Sequence, residues 1–200
     1  MNELYVMGPR NIVVDLYNLD VSGIEIGDIA TSLSKIIRLN GRGVSVARHS
    51  AIMAQLAMNG EHPCLPITPL VCTLHDAVEA YTGDIIKPIK DTSISLPMID
   101  DVLSRKIWET FGAGKASHLQ DPVCKRLDRV TLAAEYSLYI GDWTLAHGSF
   151  GFSSLYQWEV DDAMRLLTEE TEDDVSLFLN SYHEAKLYLE ELSKDGRSKM

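Results

Sequence analysis

The chain has 200 residues, the size of one ordinary globular domain. Its 24% charged and 46% apolar residues exclude a disordered chain, being the proportions of one that buries a core. Lys plus Arg number 18 against 29 Asp plus Glu, a net charge of -11, which excludes a general binder of long nucleic acids but not of a small anion where local cations or a metal reverse the field.

The apolar stretches fall short of the roughly 18 residues of a membrane span, and the start MNELYVMGPRNIVVDLYNLD lacks a basic end followed by an apolar run. The expected setting is therefore the cytoplasm, away from membranes. Cys64, Cys72 and Cys124 have no C-x-x-C spacing and read as buried thiols.

Helical periodicity dominates, and the predicted fold class is all-α, a single compact helical bundle with a short N-terminal extended segment. IVVDLYNL alternates in part and is the candidate for a short ribbon. Ile26, Ile29, Ala30, Leu33, Ile36 and Ile37 recur at helical spacing, predicting a helix that ends near Asn40 and Gly41. Ser45 caps a second, small-residue helix running to Gly60. Thr68 and Pro69 open a buried central helix through Tyr81 that stops at Gly83. Residues 84 to 95 read as a loop, and a fourth helix runs from Leu96 to Phe111. Asp121 and Pro122 open a fifth that stops at Gly141. Two more cover 156 to 168 and 172 to 193, the last capped by Thr171. The late aromatics Trp143, Phe150, Phe152, Tyr156 and Trp158 suit either the core or a subunit interface.

Chemistry is carried by polar residues on the buried helices. His75 and Asp76 are adjacent on the most apolar helix, where an isolated carboxylate costs several kcal/mol unless it is paired or bound to a metal. Glu79 projects from the same predicted face one turn on. His49 lies on the helix before, and Asp128 interrupts the apolar spacing of the fifth. Two imidazoles and two carboxylates from three helices form a mixed N/O set suited to a divalent ion, with positions left for water or substrate. A lone histidine in a helix is usually a hydrogen-bonded core residue; the full order H, HD, D is much harder to explain that way. His62, His118, His147 and His183 do not join this pattern. From Ile29 to Gly60 there is no acidic residue, while Lys35, Arg38, Arg42 and Arg48 fall there, and Lys87 and Lys90 follow the HD helix. Cations flanking the ligands suit a compact polyanion such as a nucleotide phosphate.

His49, His75, Asp76 and Asp128 resemble the pattern of the HD-domain phosphohydrolases, all-helical metalloenzymes that act on phosphate esters. Glu79 and Asp84, four and nine residues after His75, are similar to the 5'-deoxynucleotidase branch. The stretch DIATSLSKIIRLNGRGVSVARHS resembles the start of small virus-encoded members, among them the dATP triphosphohydrolases of the DatZ type. The likeness covers roughly residues 14 to 140. It departs at Arg48, where relatives commonly carry Glu or Gln, and at Leu39, where they often carry an aromatic.

The resemblance implies a divalent ion (zinc, cobalt, manganese, iron or magnesium) on the four ligands, Glu79 orienting water or moving its proton, and Asp84 holding the sugar 3'-hydroxyl while crowding rejects ribose. Arg38, Arg48, Lys87 and Lys90 would take the phosphates. It implies a homo-oligomer, dimer or hexamer, and host cytoplasm for a virus-encoded chain. The cation count favours a dNTP, and the resemblance implies dATP first, split to deoxynucleoside and triphosphate. Release of phosphate from a dNMP, a nucleotide-binding HD module that does not hydrolyse, and a phosphodiesterase stay open.

Overall fold

The computed structural model describes residues 5–7, 13–15, 23–59, 64–85, 87–90, 92–93, 95–114, 122–146, 152–169 and 172–197. It is an all-α bundle with one small ribbon. The ribbon pairs β1 (Tyr5–Met7) antiparallel with β2 (Val13–Asp15), Val6 opposite Val14. The helices are α1 (Ile26–Leu33), α2 (Val46–Met58), α3 (Thr68–Leu74), α4 (Glu79–Thr82), α5 (Lys87–Lys90), α6 (Ser95–Phe111), α7 (Pro122–Tyr139), α8 (Gln157–Thr168) and α9 (Asp174–Arg197). Short 3-10 turns lie at Trp143–Ala146 and Phe152–Ser154.

Helix α2 sits at the centre, packed against α3, α7, α8 and α9. Its sequence explains why it can: Ala47, Ala51, Ala54 and Ala57 are fully enclosed, and their small side chains let neighbouring backbones close in. Ser45 starts it as predicted, its hydroxyl accepting from the Arg48 N–H at 3.1 Å. All seven residues of α3 are buried, so the polar residues that follow it are delivered into the core. The buried side chains form one cluster, filled by residues such as Ile29, Leu33, Met53, Leu70, Leu103, Leu127 and Phe178.

Four predicted elements come out differently. The helix predicted through Asn40 ends at Leu33, and the chain then makes a left-handed turn: Leu39 and Asn40 have φ of 54° and 56°, followed by Gly41 at 82°. This turn is closed by an Ile37 to Ser45 bridge and by the Arg38 N–H donating to the Val44 carbonyl at 2.9 Å. The predicted central helix is broken after Leu74. Cys72's carbonyl accepts from the His75 ring at 2.7 Å, and the backbone bonds that follow are of the tighter kind, Ala77 to Leu74 and Glu79 to Asp76. The predicted loop 84 to 95 contains the single turn α5. Helix α9 starts at Asp174, with the Asp173 carboxylate accepting from the Val175 and Ser176 N–H groups. Thr171, its predicted cap, lies outside the described residues, as does Asp121.

Of the late aromatics, Trp143 and Phe152 belong to the core, in edge-on contact at 6.1 Å, while Tyr156 and Trp158 are exposed and Phe150 lies outside the described residues. Cys72 and Cys124 are buried and Cys64 half-buried, all three as free thiols. No helix among the described residues is long and apolar enough to cross a membrane.

Candidate metal centre

His49 comes from the middle of α2, His75 and Asp76 from the tight turn between α3 and α4, and Asp128 from α7. One ligand atom from each of His49, His75 and Asp76 lies within 4.8 Å of the others. His75 Nε2 is 2.9 Å from Asp76 Oδ2, and His49 Nε2 is 3.3 Å from Asp128 Oδ1. The two imidazole rings are 5.3 Å apart and tilted by 43°. The structure thus brings three of the four predicted ligands within reach of one another and sets the fourth, Asp128, beside His49.

Each imidazole is held from behind by its other nitrogen. His75 Nδ1 donates to the Cys72 carbonyl, an acceptor only, which fixes the proton on that side. His49 Nδ1 donates to Glu135 Oε1 at 2.6 Å. In both, Nε2 is the atom turned to the centre, the arrangement by which metal-binding histidines are oriented. His49 Nε2 is buried and makes no hydrogen bond, its approach to Asp128 being out of line for one. A buried nitrogen left without a hydrogen bond beside two carboxylates is a donor set that fits a divalent ion.

Glu135 escaped the sequence reading. It is fully buried on α7, seven residues and so two turns after Asp128, which puts both on one face. That spacing was the available signal, hidden because a glutamate in an amphipathic helix usually faces water. Its second oxygen, Oε2, accepts from Arg38 Nε at 3.1 Å, and Arg38 Nη1 donates to Asp76 Oδ2 at 3.3 Å. Arg38, predicted as a phosphate cation, is therefore at the centre.

The charges set one another. Burial pushes the Asp76 carboxyl up, but His75, Arg38 and His49 outweigh it and hold the group well below the ordinary carboxylate range. Asp128 and Glu135 follow the same balance: desolvation raises each, and neighbouring His49 and Arg38 bring each down, so both are ionised at neutral pH. For His49, burial and Arg38 disfavour the cation, yet Glu135 and Asp128 together raise its pKa. Glu79 goes the other way. It is 7% exposed, its Oε2 has no hydrogen-bond partner, and burial, with Asp76 and Asp84 adding to it, pushes its carboxyl up to about 9.

The remaining predicted residues divide. Asp84 is exposed, close enough to Glu79 for its charge to act there. Lys90 also acts on Glu79, but its ammonium is paired with Asp100 at 2.7 Å. Arg48 is a correction. Its Nε donates to Asp174 Oδ1 at 2.8 Å and it reaches the Glu172 carbonyl, stapling α2 to the start of α9 instead of facing the ligands. It sits one helical step from His49, about 100° round the helix, which is why adjacency in sequence misleads. The Lys87 side chain, His62, His118 and His147 lie outside the described positions, and His183 is exposed.

Fold and site together define an all-α protein with a histidine and aspartate centre inside its bundle. The chain is 30% identical over 153 residues to the Escherichia coli (strain K12) protein titled "Uncharacterized protein YfdR", covering 75% of this chain and 77% of that one, and it belongs to the YfdR family. A Rhodobacter capsulatus protein, likewise titled uncharacterized, is 32% identical over 105 residues, half of this chain and 54% of its own length. No protein-family model matches the chain.

Proposed function

We propose that the protein is a metal-dependent phosphohydrolase of the HD-domain type acting on 2'-deoxynucleotides. The observation that carries this is the convergence of His49, His75 and Asp76 within 4.8 Å, with both imidazoles fixed from behind. His49, His75, Asp76 and Asp128 would hold the ion. When bound, a divalent ion there supplies Lewis acidity, making water a better nucleophile and polarising a phosphoryl oxygen. Glu79 holds a proton at neutral pH in the metal-free protein and, lacking a hydrogen bond at Oε2, is placed to orient a water or to move a proton between water and leaving oxygen. Arg38 offers the cation for phosphoryl charge, and Asp84, at the exposed edge, a carboxylate for a sugar hydroxyl.

Cleavage of a dNTP, dATP first, to deoxynucleoside and triphosphate is the leading reaction from the sequence. Release of phosphate from a dNMP is favoured by one observation: Arg48 is tied to Asp174 and Lys90 to Asp100, so fewer cations are available for three phosphates than the sequence suggests. Purified protein with zinc, cobalt, manganese or magnesium should hydrolyse a dNTP or a dNMP in a panel that includes rNTPs, with triphosphate or phosphate as product. Asp76→Ala should abolish turnover, a loss of at least about 100-fold, as expected when a ligand is removed from such a centre. Nucleotides recovered intact with every metal would point instead to a binding module.

A further inference from the structure

Arg38 is held at two points of its guanidinium by carboxylates of different kinds. Its Nε donates to Glu135 Oε2 at 3.1 Å, and its Nη1 to Asp76 Oδ2 at 3.3 Å. Glu135 is wholly enclosed and its other oxygen holds His49 at 2.6 Å, so that end is an anchor. Asp76 is 21% exposed, and the oxygen that takes Nη1 is the same one that lies 2.9 Å from His75 Nε2. A divalent ion at that oxygen would sit beside the guanidinium and weaken its hold on Asp76, because two positive groups so close repel. The backbone beneath is fixed: the Arg38 N–H donates to Val44, and its carbonyl accepts from Arg42 and Gly43 at 3.2 and 3.0 Å. Only the side chain is left to move.

The geometry points to Arg38 as a counter-ion exchanged between Asp76 and an incoming phosphate, pivoting on Glu135, so that cation binding and anion binding at this centre reinforce each other through one side chain. This rests on the metal-centre reading above and deepens it. Without a metal, Nη1 neutralises Asp76. Once a divalent ion neutralises Asp76 instead, Nη1 is released while Nε stays on Glu135, and the freed N–H groups turn to a phosphoryl oxygen. By linkage, an anion that draws Arg38 from Asp76 raises metal affinity by the factor with which metal raises anion affinity.

The test is calorimetric titration of the full chain with Mn²⁺, with and without inorganic phosphate. Unmutated protein should bind Mn²⁺ about 5-fold or more tighter in saturating phosphate, the low end of ordinary coupling. Arg38→Met should bind Mn²⁺ tighter than the unmutated protein when phosphate is absent, and phosphate should then add little. Lys90→Met controls for loss of a nearby positive charge and should have a smaller effect. The inference is overturned if Arg38→Met binds Mn²⁺ no tighter than the unmutated chain, or if Lys90→Met tightens it as much. Should Arg38→Met not fold, NMR of the unmutated protein decides: Zn²⁺ alone should shift the Arg38 Nη resonances while Nε keeps its hydrogen-bonded position, and static Nη resonances overturn the pivot. If the unmutated chain binds neither Mn²⁺ nor Zn²⁺, the metal-centre reading fails and the pivot with it; metal binding that is indifferent to Arg38 removes the pivot alone.

Discussion

Folding puts the Glu79 carboxyl where water barely reaches it, with Asp76 and Asp84 nearby and Arg38 and Lys90 in opposition. Its pKa of about 9 lies above the ordinary 4.5, so between those values the folded chain carries a proton that the unfolded chain has lost. Stability must then fall as pH rises through that window. Glu79→Gln removes the ionisation while keeping the shape. In chelator-treated protein its melting temperature should match the unmutated chain near pH 4.5 and exceed it increasingly toward pH 8, by roughly 2 to 4 °C for each kcal/mol recovered. A gap that stays constant across the range would mean that the carboxyl ionises normally. Of the site's individual residues, His49, His75, Asp76 and Asp128 were legible in the sequence because ionisable groups in apolar helices demand a partner. Glu135 was not, since burial of a glutamate is decided by which helix face meets the core, and one carboxylate among polar neighbours leaves that open.

Among the elements, α2 carries both a candidate ligand and a staple on neighbouring residues. Its first turn is bound to the start of α9 twice, by Ser45 Oγ to Asp174 Oδ2 at 2.6 Å and by Arg48 Nε to Asp174 Oδ1 at 2.8 Å. Arg48→Met should cost about 1 to 2 kcal/mol, the usual worth of hydrogen bonds to a charged group that is partly enclosed, and lower the melting temperature by roughly 3 to 6 °C. Metal affinity should stay as it was. A loss of substrate binding with unchanged melting would restore Arg48 to the site and remove the staple. The starts of α2, α3 and α7 could be read from Ser45, Thr68-Pro69 and Pro122, because caps and first-turn prolines act within a few residues. The breaks after Leu33 and Leu74 could not. Apolar spacing continues through both, and what accompanies the breaks is invisible to it: the Ile37 to Ser45 bridge in one case and, three residues back along the chain, the His75 ring on the Cys72 carbonyl in the other.

At the scale of the whole molecule the candidate ligands tie together three segments distant in sequence: α2, the turn after α3, and α7. A bound ion would cross-link the bundle through its centre, and whatever binds only the folded chain stabilises it. At an ion concentration of 100 times Kd the gain is about 2.7 kcal/mol, which for a chain of this size raises the melting temperature by roughly 5 to 10 °C. EDTA should reverse the rise, and His49→Ala should not show it. Melting that is indifferent to zinc, cobalt and manganese would leave the convergence of ligands without a metal. The net charge of -11 takes on a local meaning here: the Arg38 cation is enclosed among the site carboxylates Glu135, Asp76 and Asp128.

Leucine in the left-handed conformation of the turn at Leu39 and Asn40 lies about 1 to 2 kcal/mol above its ordinary backbone states, a cost that the bridge and hydrogen bonds closing the turn must offset. A lineage selected for heat resistance alone would find an easy improvement there by relaxing the turn. The same relaxation would free the backbone that aims Arg38 at Asp76 and Glu135. Robustness and activity would therefore pull these residues in opposite directions, and the tension between them would be settled at Leu39 before it reached any ligand.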